Sequence, residues 1–365
     1  MSDILLCHPT VFAVGDQYQI IVPVVRDALF SVTVGGKEFH DHAAGVLRSA
    51  VRYHKVTVPM ELLDREKRYV VTVKEMVERA PYFPVTKEPE SFTYDFRPLP
   101  EEGEIRAYFL ADTHGQYEMP VAAGGYFGDA LDLLILGGDI ADFAGHAECF
   151  DLPYRLASAL TGGRIPCLYA RGNHDMRGQF AEKALPCTPN DNGRTYYTAR
   201  LGALWALILD VGEDKPDAHA AYGGTIDCTT LREDETAFLR RVIRNKETEY
   251  AAGGIKYRLL VIHYPLSSAF QPPLNADVTQ FTAWLSMLRD EIKPQLTVAG
   301  HEHIARFVPS DEHEPSPLAI AAKGIYGGGK CVGFIGGALV FGQNGIGVSF
   351  TDHEKTVCET YSIGI

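Results

Sequence analysis

Five short apolar runs in this chain each stop at a polar cluster, and that repeated pattern narrows the fold more than anything else in it. Residues 107–111 (AYFLA) run into Asp112-Thr113-His114. Residues 131–136, interrupted only by Asp132, open onto Gly137-Gly138-Asp139-Ile140-Ala141-Asp142. Residues 167–170 (CLYA) lead to Arg171-Gly172-Asn173-His174-Asp175. Residues 259–262 (LLVI) end at His263, and residues 296–299 (LTVA) end at Gly300-His301-Glu302-His303. A run of about four to six mostly apolar residues that meets Gly or a polar side chain reads as a buried strand feeding a loop. Ligands in open α/β sheets gather beyond the carboxyl ends of such strands.

The steps from Asp112 to Asp139 and from Asp139 to Asn173 are each about one strand–helix–strand unit, roughly 30 residues. Successive parallel strands would therefore deliver these groups to one edge of a sheet. Carboxylate, imidazole and amide oxygen together suit Mn, Fe or Zn better than Ca or Mg. Two sites that share one carboxylate hold their ions roughly 3.5–4 Å apart and can polarise a phosphoryl group. The clusters are rich enough for such a pair.

Composition sets outer bounds. At 365 residues the chain exceeds one ordinary core, which predicts two domains. No stretch approaches the ~20 apolar residues of a membrane span. The start, Met1-Ser2-Asp3-Ile4, lacks the basic and apolar regions of a secretory signal. Seven scattered cysteines without a CxxC pair read as reduced thiols, so the expected location is the cytoplasm. Residues 1–100 are close to neutral, and nearly all of the net charge of −13 lies beyond them. That balance opposes a polyanionic nucleic-acid partner, and bound divalent cations would offset part of it.

The organisation reads as an all-β sandwich over residues 1–98, followed by an α/β domain over 99–365. Residues 18–25, 29–34, 53–58 and 69–73 are short, β-branched and aromatic, with turn signals at Gly15-Asp16, Gly35-Gly36 and Asp64-Arg65. A proline-rich connection spans residues 81–100. Residues 234–244 and 279–289 carry helical apolar stripes. The glycine-rich tail from Lys330 predicts antiparallel strands in a second sheet, and glycines 327–329 read as a turn. His8, His40, His42 and His54 read as surface or edge residues, whereas His146 and His219 could face the cleft.

Asp112-x-His114, Gly138-Asp139-x-x-Asp142, Gly172-Asn173-His174-Asp175, a lone His263 and Gly300-His301-x-His303 resemble, in order, the calcineurin-like metallophosphoesterases. The resemblance covers about residues 105–305 and implies a four-layer αββα catalytic fold with two ions, Mn or Fe favoured over Zn. It implies that Asp112, His114, Asp139 and His303 hold the first ion, and that Asp139 bridges. Asn173, His263 and His301 would hold the second. A hydroxide between the ions would be the nucleophile. His174 matches the family's general acid, Asp175 would orient its imidazole, Asp142 would act behind the ligands, and Arg171 would reach a phosphate oxygen.

Leu63 with Tyr69-Val70-Val71-Thr72-Val73 resembles the tyrosine corner and following strand of fibronectin type III domains. Purple acid phosphatases also join such a domain to this catalytic fold, but they carry a ligand tyrosine three residues after the bridging Asp. Asp142 stands there in this chain, so a coloured tyrosinate–iron site is not expected. The leading expectation is hydrolysis of a small or medium phosphate ester. A nucleotide phosphodiesterase or nuclease, and a metal-stabilised interaction module without catalysis, are the alternatives.

Overall fold

The computed structural model describes residues 3–270 and 279–364, and within them the predicted alternation of strands and helices begins at residue 105. Before it come β1 (Thr10–Val14), β2 (Gln17–Pro23), β3 (Ala28–Val34), β4 (Lys37–His40), the short pair β5 (His42–Ala43) and β6 (Val46–Leu47), and β7 (Tyr53–Pro59). Helix α1 (Met60–Glu66), β8 (Arg68–Glu78), β9 (Val85–Thr86) and β10 (Glu90–Asp95) complete this β-rich region. Then follow β11 (Ile105–Leu110), α2 (Glu118–Gly124), β12 (Leu133–Leu136), α3 (Asp151–Thr161), β13 (Pro166–Tyr169), β14 (Tyr197–Leu201) and β15 (Leu204–Ile208). Next are α4 (Cys228–Arg244), β16 (Tyr257–Val261), α5 (Thr279–Ser286), β17 (Leu296–Ala299), β18 (Ala305–Val308) and β19 (Leu318–Ala321). The tail forms β20 (Lys323–Gly327), β21 (Lys330–Gly342), β22 (Gly345–Asp352) and β23 (Val357–Ile363).

The five runs become β11, β12, β13, β16 and β17, and they divide between two sheets. The ten-stranded sheet has the order β23-β22-β21-β11-β12-β13-β1-β2-β7, with β20 on β21. The six-stranded sheet has the order β14-β15-β16-β17-β19-β18. β11, β12 and β13 are mutually parallel, as are β15, β16 and β17. Alternation along each strand supplies two apolar faces. Ala107, Phe109, Leu133 and Ile135 share a core with Ala206, Ile208, Leu259, Val261 and Val298, which joins the two sheets. Tyr108, Leu110, Leu134 and Leu136 instead join Leu156 and Ala157 of α3. Leu207 and Leu260 join Phe238, Leu239 and Val242 of α4 and Trp284 of α5. Asp227 caps α4 by accepting from Thr230 N at 3.0 Å, satisfying one of its free N–H groups.

Residues before 100 are all-β apart from α1, but their strands serve three sheets. β1 pairs in parallel with β13 (Val11↔Pro166, Phe12↔Cys167), so β1, β2 and β7 prolong the ten-stranded sheet. β3, β4, β8, β9 and β10 form a separate antiparallel sheet, β10-β8-β3-β4 with β9 on β8, and β5 and β6 pair only with each other. A tyrosine corner bonds back to backbone a few residues upstream. Tyr69 donates instead to Gly163 O at 2.7 Å, across to the segment after α3, so the fibronectin signature is not present in its geometry. The tail also differs from expectation. β21 pairs antiparallel with β11, so it extends the sheet that carries Asp112 rather than a second one. His54, read as a surface or edge residue, is fully buried, and its Nδ1 lies 2.8 Å from Asp41 Oδ2. All seven cysteines are free thiols.

One buried acid sets a pH dependence. Glu314 is fully buried; one oxygen accepts from Ser267 N at 2.9 Å and Oε2 has no partner among the described residues. Burial pushes its carboxyl up to about 7. The folded chain thus keeps a proton that the unfolded chain releases above its ordinary carboxyl range, and stability falls as pH rises toward 7. Glu314→Gln is expected to remove that decline, a gain on the order of 1–3 kcal/mol at pH 8 that vanishes near pH 4. Urea unfolding of both proteins at the two pH values measures it. An equal difference at both pH values would contradict it.

Candidate metal centre

The loops that follow β11, β12 and β17 are held in unusual backbone shapes. Asp112, His114, Asp139, His301 and His303 have φ of 52°, 43°, 52°, 69° and 54°. Side-chain-bearing residues in this region carry strain of roughly 1–3 kcal/mol each, and they persist only where surroundings over-determine them. Here the loops hold one another: Asp112 N donates to Gly138 O, His114 N to Asp139 O and Gly300 N to His263 O, at 3.1, 3.1 and 2.9 Å. Two glycines make the approach close enough. A Cβ on Gly172 would lie 2.1 Å from Asp139 Oδ1, and one on Gly300 would lie 2.2 Å from Asp112 Oδ2.

All seven candidate ligands converge. His263 Nε2 lies 3.2 Å from Asp139 Oδ2, 3.1 Å from Asn173 Oδ1 and 3.9 Å from Asp112 Oδ1. His301 Nδ1 lies 3.2 Å from Asn173 Oδ1. His114 and His303 face each other at 3.3 Å (Nε2 to Nε2), and both approach Asp112 Oδ1, at 3.8 and 3.6 Å. Asp112, Asp139, His263 and Asn173 are buried. The remaining oxygen of Asp112 accepts from His301 N at 2.7 Å, which leaves Oδ1 buried and without a hydrogen-bond partner among the described residues.

A buried carboxylate oxygen facing several imidazole nitrogens is costly unless something positive stands between them. Burial opposes charge on His263, but Asp139 and Asp112 outweigh it and lift the group to about 10. Burial and the neighbouring His263 charge take His301 the other way, to about 4. The pocket therefore draws in positive charge and cannot spread it over all of its histidines. A cation at the centre resolves both demands, so the donor set fits two metal ions. The Asn173 amide supports this. With Oδ1 inward it adds an oxygen ligand; turned over, its NH2 would instead donate to Asp139, His263 and His301. Inward oxygen is the arrangement that suits an ion.

The other four candidates divide. His174 N donates to Asp139 Oδ1 at 2.8 Å, and its ring Nδ1 lies 2.7 Å from the Asp142 carbonyl oxygen. The Asp142 carboxylate, 61% exposed, stands 3.3 Å from His114 Nδ1, behind that ligand. Asp175 does not meet the His174 imidazole as expected. Its Oδ2 accepts from Gly172 N and Tyr169 OH at 2.8 and 3.1 Å, closing the loop, and the Asp142 carbonyl orients His174 instead. Arg171 pairs with buried Asp210 at 2.7 Å, which commits its charge to the structure rather than to a phosphate oxygen. His146 is exposed beside Glu148 and His219 accepts from Ala221 N in its own turn.

A sixth strand-end cluster escaped the sequence reading although its pattern is the same. β15 is followed by Leu209-Asp210-Val211-Gly212-Glu213-Asp214. Asp214 Oδ2 stands 3.8 Å from His301 Nε2, the ring nitrogen turned away from Asn173. Buried Glu213 accepts a bidentate pair from Arg177 at 2.7 and 2.6 Å. Carboxylates behind metal-binding histidines fix their orientation.

Residues 105–305 match the calcineurin-like phosphoesterase family. No curated protein matches the chain in sequence. Among solved structures, the chain is similar to a purple acid phosphatase from yellow lupin (Lupinus luteus) seeds. The identity is 10%, covering 98% of this chain and 74% of that one, with a TM-score of 0.62. It is similar to PhoD at 10% identity, covering 97% and 88%, with a TM-score of 0.55. A dimetal phosphatase from Danio rerio is 12% identical, covering 72% and 99%, with a TM-score of 0.50. At such identities the likeness is one of fold.

Proposed function

The chain belongs to the calcineurin-like phosphoesterase family, and from that premise we propose that it hydrolyses phosphate esters at a centre of two metal ions. The observation that carries the reading is the orphaned, buried Asp112 Oδ1, faced by His114, His263 and His303. We assign Asp112, His114, Asp139 and His303 to one ion and Asn173, His263 and His301 to the other, with Asp139 between them. Asp139 fits that position because its Oδ2 faces His263 while Oδ1 is held by His174 N. Bound ions would lower the pKa of a water and clamp phosphoryl oxygens. Mn, Fe or Zn suits this donor set.

His174 supplies the proton for the leaving alkoxide. Its Nδ1–H is donated to the Asp142 carbonyl, which fixes the ring and leaves Nε2 to carry the transferred proton. Asp142 also braces His114. The two sheets with helices on their outer faces support the four-layer reading of the catalytic unit. Residues 1–98 and 99–365 divide by chemistry, because every assigned group follows residue 99. The acidic charge favours a small or medium ester over a long polyanion. No helix among the described residues is long and apolar enough to cross a membrane.

The test is turnover of an aryl phosphate by protein loaded in turn with Mn, Fe, Co, Ni and Zn, with a chelator abolishing the activity. Protein dead with all of them on a broad ester panel would favour a metal-stabilised interaction module. Colour gives a separate check. With Asp142 in place of a ligand tyrosine, iron-loaded protein is expected to lack a tyrosinate charge-transfer band in the visible. A purple preparation would overturn that assignment.

A further inference from the structure

The Asn173 amide reaches the centre with Oδ1, which lies 3.1 Å from His263 Nε2 and 3.2 Å from His301 Nδ1. Its other end leaves the ligands and meets Glu213, whose Oε2 accepts from Nδ2 at 3.4 Å. Arg177 pulls the opposite way. With the amide turned over, the oxygen would accept from Arg177 Nη2 at 2.7 Å, and the NH2 would stand 3.2 Å from Asp139 Oδ2 and 3.1 Å from His263 Nε2. An amide carries its acceptor at one end and its donors at the other. Turned over, Asn173 would therefore present hydrogens to an ion instead of a lone pair.

Glu213 cancels that pull by occupying the guanidinium. Its Oε2 accepts from the same Arg177 Nη2 at 2.6 Å and its Oε1 from Arg177 Nε at 2.7 Å, a bidentate charge-assisted pair. The carboxylate is fully buried and fixed from several sides. Tyr222 OH lies 3.0 Å from Oε2, Glu213 N donates to Cys228 Sγ at 3.2 Å, and Arg232 Nη2 donates to the Glu213 carbonyl. A glycine brings the segment this close: a Cβ on Gly212, whose φ is 69°, would lie 2.6 Å from Cys228 Sγ. Asp214, the next residue, backs His301. One dipeptide thus stands behind both Asn173 and His301, which are assigned to the same ion.

We propose that Glu213 is a positioning residue for that ion: it holds Arg177 away from the Asn173 oxygen and takes the amide hydrogen, so that Oδ1 faces the metal. The inference rests on the two-ion reading above. Glu213 touches neither ion nor ester in this scheme; it acts through Asn173 alone. A buried side chain that orients a ligand in this way typically governs about 10- to 100-fold in metal affinity. The scheme has a consequence that simple packing lacks. Once Glu213 is gone, Arg177 turns the amide, so removing Arg177 as well should repair the site.

The experiment is a calorimetric Zn titration of metal-free wild type, Glu213→Gln and the double variant Glu213→Gln/Arg177→Met, with thermal unfolding of each. Gln keeps the shape of Glu213 but leaves one oxygen for Arg177, Tyr222 and Asn173 to share. In Glu213→Gln the second binding step is expected to weaken about 10- to 100-fold while the first changes less than about threefold. The double variant should recover most of that loss, a coupling of the kind that residues of one network show. Equal weakening of both steps, no weakening, or a double variant as poor as the single one would overturn the proposal. Wild type gives a second reading that needs no variant to fold. In Zn-loaded protein with isotope-labelled asparagine, NMR should find the Asn173 side-chain NH2 close to the Arg177 guanidinium. Proximity to the ring protons of His263 and His301 instead would overturn the proposal. Two ions bound with this pattern but no ester hydrolysed would keep Glu213 in its role and sink the phosphoesterase reading; hydrolysis with a second ion indifferent to Glu213 would do the reverse.

Discussion

His174→Ala is expected to keep its fold and its metal while losing about 10²–10⁴-fold in rate, the usual worth of a positioned general acid. The His174 ring makes no contact that the core depends on; it bonds one carbonyl and lies edge-on to His114 with ring centroids 4.8 Å apart. Deleting it leaves all seven candidate ligands in place. The loss should shrink for leaving groups of low pKa, which need little protonation on departure. Rates on alkyl and p-nitrophenyl phosphate, paired with elemental analysis, measure this. Loss of metal in His174→Ala would make His174 a ligand and overturn its assigned role.

Asp139→Asn should behave in the opposite manner, with metal lost and the rate falling for good and poor leaving groups alike. The buried Asp139 carboxylate faces His263 Nε2 through Oδ2 and accepts from the His174 backbone through Oδ1, and the same His263 nitrogen lies 3.9 Å from Asp112 Oδ1. Asn keeps the shape but removes the charge, and one of its two terminal atoms becomes a donor facing His263. A side chain shared by two ions, as proposed for Asp139, could not make that exchange without weakening both. Metal content near that of wild type, with a leaving-group dependence like that of His174→Ala, would contradict the bridging assignment.

Much of this candidate centre was legible because a parallel strand is apolar on both faces and stops abruptly where it meets a polar loop. That signature located Asp112, Asp139, Asn173, His263 and His301, and the spacing placed the first three on one sheet. It did not separate the two sheets, since β16 and β17 read like β12 and β13; pairing partners are set by distant packing, not by local pattern. Asp175 and Arg171 were misjudged for a related reason. Their neighbours in space, Tyr169 with Gly172 and Asp210, decide what each charge does, and a motif gives only sequence neighbours. Asp214 was overlooked although β15 ends in the same kind of polar cluster. The β-rich amino-terminal region was legible as strands, but β1 pairs with β13 across more than 150 positions, a contact that leaves no trace in the composition of either strand.

The account's central claim is that one set of seven side chains holds two ions that act together on a phosphate ester. A stepwise Mn titration of metal-free protein, read by calorimetry and by aryl phosphate turnover on the same samples, tests it most directly. The expected result is two ions bound per chain, with turnover rising as the second is taken up and lost on chelation. Saturation at a single ion, or turnover complete after the first and indifferent to the second, would contradict it.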